Sequence, residues 1–533
     1  MGNLINNALA AIAPKAALER ELASQRYKAL ANLTGSETRW RGASRTLRSL
    51  RGWIPGLGSG KSDLPEGEKR TLAARSRDAF RNQPIARAAI MRSRTAIVGT
   101  GLRPSASVDW KTLGISEEQG KELNRTIDRH WRLYANDPRE CDAEATLNAY
   151  QLQSLALVSS MLAGDCFGLT PFKKRPGCIF GTKLQLIDGA RVSNPDHQAD
   201  TDTLINGIQL DALGGPVIYH IASSHPSDPP SAGNLTTWKP VRVFGQRTGV
   251  RRALHIWNDK ADIGAVRGAP FLAPILEPLA KLEQYSQAEL TAAVVAGMFT
   301  VFIERDSESH EDPNDPLEEL ESGEDENVPL EEGEIALGNG AVVGLDAGEK
   351  ANTANPGRPN ANYEGFFFAI IKEIGAALEI PAEELLLYYS SSYSAARAAM
   401  LQAWRFYTTR RQWLVTQLAD PWRAIWFDEL VASGKIPVTG YTDPIRRAAY
   451  QRVTWTGPAR GAIDELKEAK AAREMIAGRL SNRRIETQRM LGEDWDVVAE
   501  GLADEEEFLR DKGIQESAKT ANKPETTSGE EVE

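Results

Sequence analysis

The chain has 533 residues, 41% hydrophobic and 26% charged, which is the balance of a globular protein and too much chain for one core, so two or more domains are expected. Six His, and three Cys without a C-x-x-C pair, weigh against imidazole chemistry, a zinc site or a disulfide framework. The net charge of −10 is unevenly spread: residues 1–105 carry 19 Lys and Arg against 7 Asp and Glu, whereas residues 306–334 carry 14 acids and no Lys or Arg.

Residues 1–67 read as a basic, largely flexible arm. In it Arg39, Arg41, Arg45, Arg48 and Arg51 lie between Trp40 and Trp53, a mixture suited to phosphate contact with stacking, or to docking on a protein neighbour. It lacks the basic start and continuous apolar centre of a signal peptide, and no apolar run in the chain reaches the roughly 18 residues of a membrane span. A cytosolic product with reduced thiols is expected.

The spacing predicts a helix over 68–98 with a weak point before Pro84, a second over 117–135 with Leu123, Ile127, Trp131 and Tyr134 on one face, and a third over 148–163 with Leu152, Leu155, Leu157 and Val158 inside. From Gly164 the period shortens, and 166–170, 184–187, 205–210, 217–221 and 254–257 read as strands. Helices followed by strands without regular alternation indicate an α+β fold.

A long helix follows over 270–296, with Ile275, Leu276, Leu279, Leu282 and Leu290 at helical spacing, then a strand over 298–303. The acidic stretch 306–334, interrupted by Pro313, Pro316 and Gly323, reads as a surface loop, and 334–337 and 341–345 as strands. Residues 363–378 are again helical, through Phe367, Ile370, Ile371, Ile374 and Leu378. Residues 393–418 read as one amphipathic helix, capped from Ser390-Ser391-Ser392 and ended by Pro421. One face holds Met400, Leu401, Trp404, Tyr407, Leu414 and Leu418; the other holds Arg397, Arg405, Arg410 and Arg411, while Ala395, Ala396, Ala398 and Ala399 permit close approach of another helix. Helices over 422–430, 462–477 and 481–491 precede a polar tail over 511–533 that reads as disordered.

Candidate chemistry does not survive inspection of its context. Gly56-Leu57-Gly58-Ser59-Gly60-Lys61-Ser62 nearly spells a phosphate loop, but Pro55 stands where that loop needs glycine, no buried strand precedes it, and Asp63-Leu64-Pro65 blocks an immediate helix. Cys166 sits in a Gly164-Asp165-Cys166-Phe167-Gly168 turn with no adjacent base, and His220, His225 and His255 are too loosely spaced for zinc. The acids of 306–334 lack the rigid anchoring of a metal-dependent nuclease. No catalytic residue, metal or cofactor is assigned.

Three motifs in order carry a resemblance. Ile380-Pro381-Ala382-Glu383-Glu384-Leu385 leading into Tyr393-Ser394-Ala395-Ala396-Arg397 and Trp404 resembles the pro-glutamate-leucine turn and Tyr-Ser-x-Ala-Arg helix of lambda-type tailed-phage portal proteins. Asp188-Gly189-Ala190-Arg191-Val192-Ser193-Asn194-Pro195 resembles that family's Arg-Ile-Ser-Asn-Pro stretch, and Trp455-Thr456-Gly457-Pro458-Ala459-Arg460 its Trp-x-Gly entry to a C-terminal helix.

The resemblance implies a portal-type α+β subunit: a mixed α/β wing over 68–269, a stem helix over 270–297, a small strand-containing clip over 298–360, a returning stem helix over 361–380, a tunnel loop and long tunnel helix over 381–420, and a wing return with helical crown over 421–510. It implies a ring, usually of twelve subunits, at the capsid vertex of the virion, assembled in the host cytoplasm. Its partners would be double-stranded DNA, terminase large subunit, major capsid and scaffold proteins, and head-completion or tail connector proteins, with no membrane. The channel loop would be Tyr388, Tyr389, Ser390, Ser391, Ser392, Tyr393 and Ser394. Arg397, Arg405, Arg410 and Arg411 would contact DNA or a neighbouring subunit, and Glu318, Glu319, Glu324, Asp325 and Glu326 would face terminase. The alternative from another class is a DNA-processing enzyme of a mobile element, a nuclease or maturation protease, which demands a compact set of His, Cys or carboxylates on rigid elements.

Overall fold

Four aromatic side chains from two distant parts of the chain meet in the core: Trp131 and Tyr134, with Trp422 and Trp426, all at most 1% exposed. Their rings pack edge-on or tilted at centroid distances of 5.0–6.1 Å, and the Trp422 indole N–H donates to the Tyr134 hydroxyl at 2.9 Å. The structure is a computed structural model. It describes Arg48 and residues 58–228, 236–260, 262–297, 301–303, 342–344, 362–389, 392–461 and 464–514. The chain divides into two units after Ser59, and every element below belongs to the unit that starts at Gly60. The basic residues 39–51 other than Arg48, the acidic loop 306–334, the expected strand 334–337 and the tail beyond Ile514 lie outside the described residues.

The expected helix over 68–98 is two helices, α1 (Glu66–Asn82) and α2 (Pro84–Ile97). Pro84 has no N–H to continue the ladder and drives Gln83 to an extended φ of −107° and ψ of 117°. After strand β1 (Arg103–Ala106), helix α3 (Glu117–Asn136) starts on a reciprocal Ser116–Gln119 capping box and buries its four expected apolar residues. Helix α4 (Ala149–Ala163) starts on an equivalent Asn148–Gln151 box. It buries Leu152, Ala156, Leu157 and Met161, while Leu155 is turned off that face and stands exposed.

Two small antiparallel sheets follow. In the first, β2 (Asp165–Leu169) lies between β3 (Gln185–Asp188) and β8 (Ala253–Trp257). The second runs β4 (Leu204–Ile205), β5 (Ile208–Leu210), β6 (Pro216–Ala222), β7 (Trp238–Arg242) in chain order. The expected strand over 205–210 is broken into a hairpin because Asn206 and Gly207 both take left-handed φ, 46° and 80°. Strand β7 was not expected from the sequence: Pro240 interrupts its pattern and is tolerated because β7 is an edge. A second core, around Phe167, Ile208, Tyr219 and Val243, lies between these strands.

Helix α5 (Leu276–Gly297) begins later than expected, after a short 3-10 turn at Ala273–Ile275 that holds Pro274. Ile275, Leu279 and Leu282 are buried, but Leu290, expected on the same stripe, is 67% exposed. Strands β9 (Val301–Ile303) and β10 (Val342–Gly344) pair in parallel. Helix α6 (Tyr363–Leu378) has the predicted bounds and lies against α5, with Tyr363 stacked on Tyr285 and donating its hydroxyl to Ser286 Oγ at 3.1 Å.

Helix α7 (Tyr393–Leu414) does not end at Pro421. A π turn, Val415–Ala419, follows directly, its last bond running from the Asp420 N–H to the Val415 carbonyl, and helix α8 (Asp420–Ala432) continues with Pro421 in its first turn. The widened turn removes the i−4 bond that Pro421 has no N–H to make. Strand β11 (Val453–Thr456) then pairs with β1, tying residues far apart in the chain. Helices α9 (Glu465–Ala477), α10 (Arg483–Leu491) and α11 (Trp495–Asp511) complete the described chain, α11 burying no residue at all.

Candidate functional site

The turn between α6 and α7 is built residue by residue from the first motif. Glu379 takes a left-handed φ of 57° to end α6, and the Ile380 N–H returns to the Gly375 carbonyl at 3.0 Å. Position 375 must be glycine, since a Cβ there would stand 2.5 Å from the Ile380 carbonyl oxygen. Pro381 opens a short helix, Ala382–Leu386, whose Leu385 is buried, and Leu387 closes it with a φ of 52°. The chain emerges with Tyr388, Tyr389 and Tyr393 each about half exposed, and Ser392 Oγ caps α7 by accepting from the Ala395 N–H. Ser390 and Ser391 lie outside the described residues.

Helix α7 buries Ala403, Phe406, Tyr407 and Leu414. Leu401, expected on this stripe, is 37% exposed, and Phe406 takes the inner place. The Tyr407 hydroxyl donates to Glu384 at 2.9 Å, joining the turn to the helix. Burial pushes the Glu384 carboxyl above its usual range, partly offset by that hydrogen bond, and burial with the nearby carboxylate pushes the Tyr407 phenol up.

The four arginines are not one solvated face. Arg411 is turned inward and donates to the carbonyls of Ala96, Ile97 and Pro458 at 2.9–3.0 Å, clamping the C-terminus of α2 and the Trp455-Thr456-Gly457-Pro458 motif onto α7. Burial lowers its pKa to about 10. Gly457 leaves room for it, since a Cβ there would lie 2.8 Å from the Arg411 Nε. Arg410 donates to the Asn258 carbonyl, lies 3.7 Å from Asp259, and stacks on Trp413. Arg397 reaches Glu468 on α9 at 3.8 Å, and Arg405 alone of the four is both exposed and without a charged partner among the described residues.

A fully buried carboxylate with several charged partners escaped the sequence reading. Asp165, at the start of β2 and fully buried, receives Arg267 through two nitrogens at 2.6 and 2.9 Å, the Lys69 ammonium of α1 at 2.8 Å, and the His255 ring at 3.0 Å. Burial alone would raise its carboxyl, but Arg267 and Lys69 outweigh that and hold it well below the usual carboxylate range. Burial, with Arg267 beside it, lowers the Lys69 ammonium to about 8. Arg267 also donates to the carbonyls of Gly189, Val192 and Asn206, so the second motif wraps this centre. Within that motif Asp188 pairs with Arg77 at 2.7 Å, Arg191 donates to the Ala222 carbonyl, and Asn194 receives the Gly207 N–H at 2.6 Å. The signal that was available is an acid placed between Gly164 and an apolar strand, where burial demands a partner.

The remaining candidates are structural. Cys166 is buried with its thiol directed at the Ala156 carbonyl, and burial pushes its pKa well up. His255 stacks on Phe167 at 4.3 Å, and His225 lies 4.0 Å from Asp188. Gly60 packs on the backbone of Ile263 and Ala265. No group of three or more His, Cys, Asp or Glu arranged to hold a metal occurs among the described residues, and no helix there is long and apolar enough to cross a membrane. The candidate terminase-facing acids Glu318, Glu319, Glu324, Asp325 and Glu326 lie outside the described residues.

Comparison with known proteins agrees with the three motifs. The chain is 25% identical over 463 residues to portal protein B of Escherichia phage lambda, covering 84% of this chain and 85% of that one. It is equally similar to the portal protein of Escherichia phage N15, over 84% and 86%. Among solved structures, the neck of a native gene transfer agent particle computed with C12 symmetry overlaps 81% of this chain and 95% of its own, at 12% identity and a TM-score of 0.41. The family model for the lambda-family phage portal protein matches residues 46–411, more than half of the chain. The chain therefore belongs to the lambda family of phage portal proteins, and its role is structural rather than enzymatic.

Proposed function

We propose that copies of this chain stand side by side around an axis, twelve to a ring, at one vertex of a phage capsid, with α5, α6 and α7 walling a channel for double-stranded DNA. The observation that carries this reading is the apolar surface left uncovered on those helices. Leu290 and Val294 on α5, Phe366 on α6 and Leu401 on α7 are 37–67% exposed in the single copy, beside the small exposed Ala395 and Ala398. Apolar area on long helices marks an interface, since its removal from water yields about 25 cal/mol per Å². A head-to-tail contact repeated around an axis closes a ring.

The loop Tyr388–Ser394, with its half-exposed tyrosines and Ser392 and Ser394 hydroxyls, is assigned to the channel wall, where weak hydrogen bonds suit DNA that must slide. Arg405 supplies a sparse basic contact, and Arg397, Arg410 and Arg411 act chiefly within the subunit. The segments around β9 and β10, with the acids of 306–334, are assigned to terminase large subunit, and the basic N-terminal residues to major capsid, scaffold or packaged DNA. Head-completion or tail connector proteins would join after packaging. The protein would assemble in the host cytoplasm and remain in the virion.

Native mass measurement and negative-stain imaging of the full chain test the ring: annular particles with an axial hole are expected, and single copies under all conditions would remove the reading. Replacing residues 388–394 with a bulky basic loop should stall packaging while rings persist. Deletion of residues 307–323 should weaken terminase binding, and undiminished binding would remove that assignment.

A further inference from the structure

We propose that the distal half of α11, residues 501–511, packs in the assembled ring on the basic tip between α9 and α10 of a second copy. The proposal rests on the ring reading and names one contact within it.

Helix α11 is held only at its start. Asp494 caps it, Arg484 pairs with Asp496, Arg483 lies over Trp495, and Arg125 of α3 pairs with Glu500 at 2.8 Å. Beyond Glu500, among the described residues, the side chains through Asp511 make no hydrogen bond or ion pair, and none is buried. Yet this half leaves Leu502 and Phe508 47% and 57% exposed, and it carries the run Asp504-Glu505-Glu506-Glu507, which at 3.6 residues per turn winds once round the helix and turns carboxylates to every side. Eleven such residues, with Gly501 at one end and acids crowded toward the C-terminus, make a poor helix in isolation. A covering surface that is apolar and basic would relieve both defects.

The chain carries such a surface. Between α9 and α10, Leu480 is 81% exposed and Ile485 52% exposed, set among Arg479, Arg483 and Arg484, with no acid anywhere in residues 475–485. A chain cannot place its own distal half on its own tip. The tip sits beside the start of α11 through Arg483–Trp495 and Arg484–Asp496, and α11 runs away from there at ~1.5 Å per residue, which puts Glu506 roughly 15 Å further on. The complementary halves therefore meet only between copies, the acidic run of one on the basic tip of the next.

The test uses full-length chains in a Cys178→Ser background, since Cys141 and Cys166 are buried. One chain carries Leu480→Cys, and a second, enlarged by a fusion tag, carries Phe508→Cys; the two are co-expressed, assembled and treated with a mild oxidant. A mixed disulfide joining one chain of each size is expected. Glu505→Lys with Glu506→Lys should lower its yield at least tenfold, and adding Arg479→Glu with Arg483→Glu should restore it to within twofold. In wild-type protein, amide exchange over 501–511 should slow at least tenfold on assembly. Rings that form with neither the mixed link nor the slowed exchange overturn this contact and leave the ring standing. Wild-type chains that never exceed one copy overturn the ring, and this contact with it.

Discussion

Around Asp165 every charge has been taken out of water and answered from inside the chain, whereas along α5 and the first half of α7 apolar side chains are left facing water. This centre gathers α1, β2, β8 and the Asp188–Pro195 stretch through two arginines, a lysine and a histidine. The long helices bury one end each, Leu279 to Leu282 on α5 and Ala403 to Leu414 on α7, and leave apolar side chains exposed beyond it. The difference is between a centre that the chain completes for itself and helix faces that it leaves exposed. The centre around Asp165 is self-sufficient; under the proposed ring, neighbouring copies would supply the cover that α5 and α7 lack.

The sharpest way to break that comparison is Asp165→Asn. It leaves Arg267 and Lys69 as buried cations without their carboxylate, so unfolding of the single copy by denaturant should lose roughly 3–5 kcal/mol. The carboxyl is held below its unfolded value, so its contribution is fully present above about pH 4 and is lost as pH falls toward the folded value. The deficit of the variant should therefore be constant from neutral pH down to about pH 4 and narrow below it. A deficit under about 1 kcal/mol at pH 7 would mean the centre does not anchor the fold.

Arg411→Met comes next. The side chain keeps its apolar stem but leaves the Ala96, Ile97 and Pro458 carbonyls unanswered at the junction of α2, α7 and β11. A loss of about 2 kcal/mol is expected in the same denaturation measurement, against less than about 0.5 kcal/mol for Arg405→Met on the same helix. Equal losses at the two positions would erase the distinction between inward and outward arginines.

How much of this was legible in the sequence follows from how local each determinant is. Helix α6 was readable to the residue because Phe367, Ile370, Ile371, Ile374 and Leu378 repeat at helical spacing and Pro381 lies just beyond. The three motifs pointed to the family because their order survives where overall identity is low. Strands β1 and β11 were missed because four residues at 103 pair with four at 453, and nothing local announces such a partner. The π turn at Val415–Ala419 was missed because proline reads as a stop unless the preceding turn widens. Asp165 and Arg411 were missed for a shared reason: spacing shows that a residue is charged, but only the fold shows that its charge points inward.

Glu384→Gln tests the link between the turn and α7 with a smaller effect. Burial raises the Glu384 carboxyl, so the native state holds its proton more tightly than the unfolded chain does. That contribution is present below the unfolded value of about 4.3 and is lost as pH rises through the folded one. Glutamine keeps an oxygen for the Tyr407 hydroxyl without a charge to bury. The variant should be slightly more stable than the parent at pH 8, by no more than about 1 kcal/mol, and the difference should fade below pH 4. A variant less stable at pH 8 would mean the charge itself strengthens the link to Tyr407.

The smallest expected change in the single copy is at Leu290→Ser. Leu290 is 67% exposed, so its loss removes little buried area and should shift unfolding by less than about 0.5 kcal/mol. Its effect belongs to the assembled state: if α5 is covered by a neighbour, a hydroxyl in that seam forfeits apolar burial at every interface around the axis. Sedimentation at matched concentrations should then show fewer rings for Leu290→Ser than for the parent, while a change at the still more exposed Leu213 between β5 and β6, Leu213→Ser, leaves assembly unchanged. Destabilised single copies would place Leu290 in the subunit's own core. Unchanged assembly would mean that the uncovered length of α5 meets something other than a copy of itself.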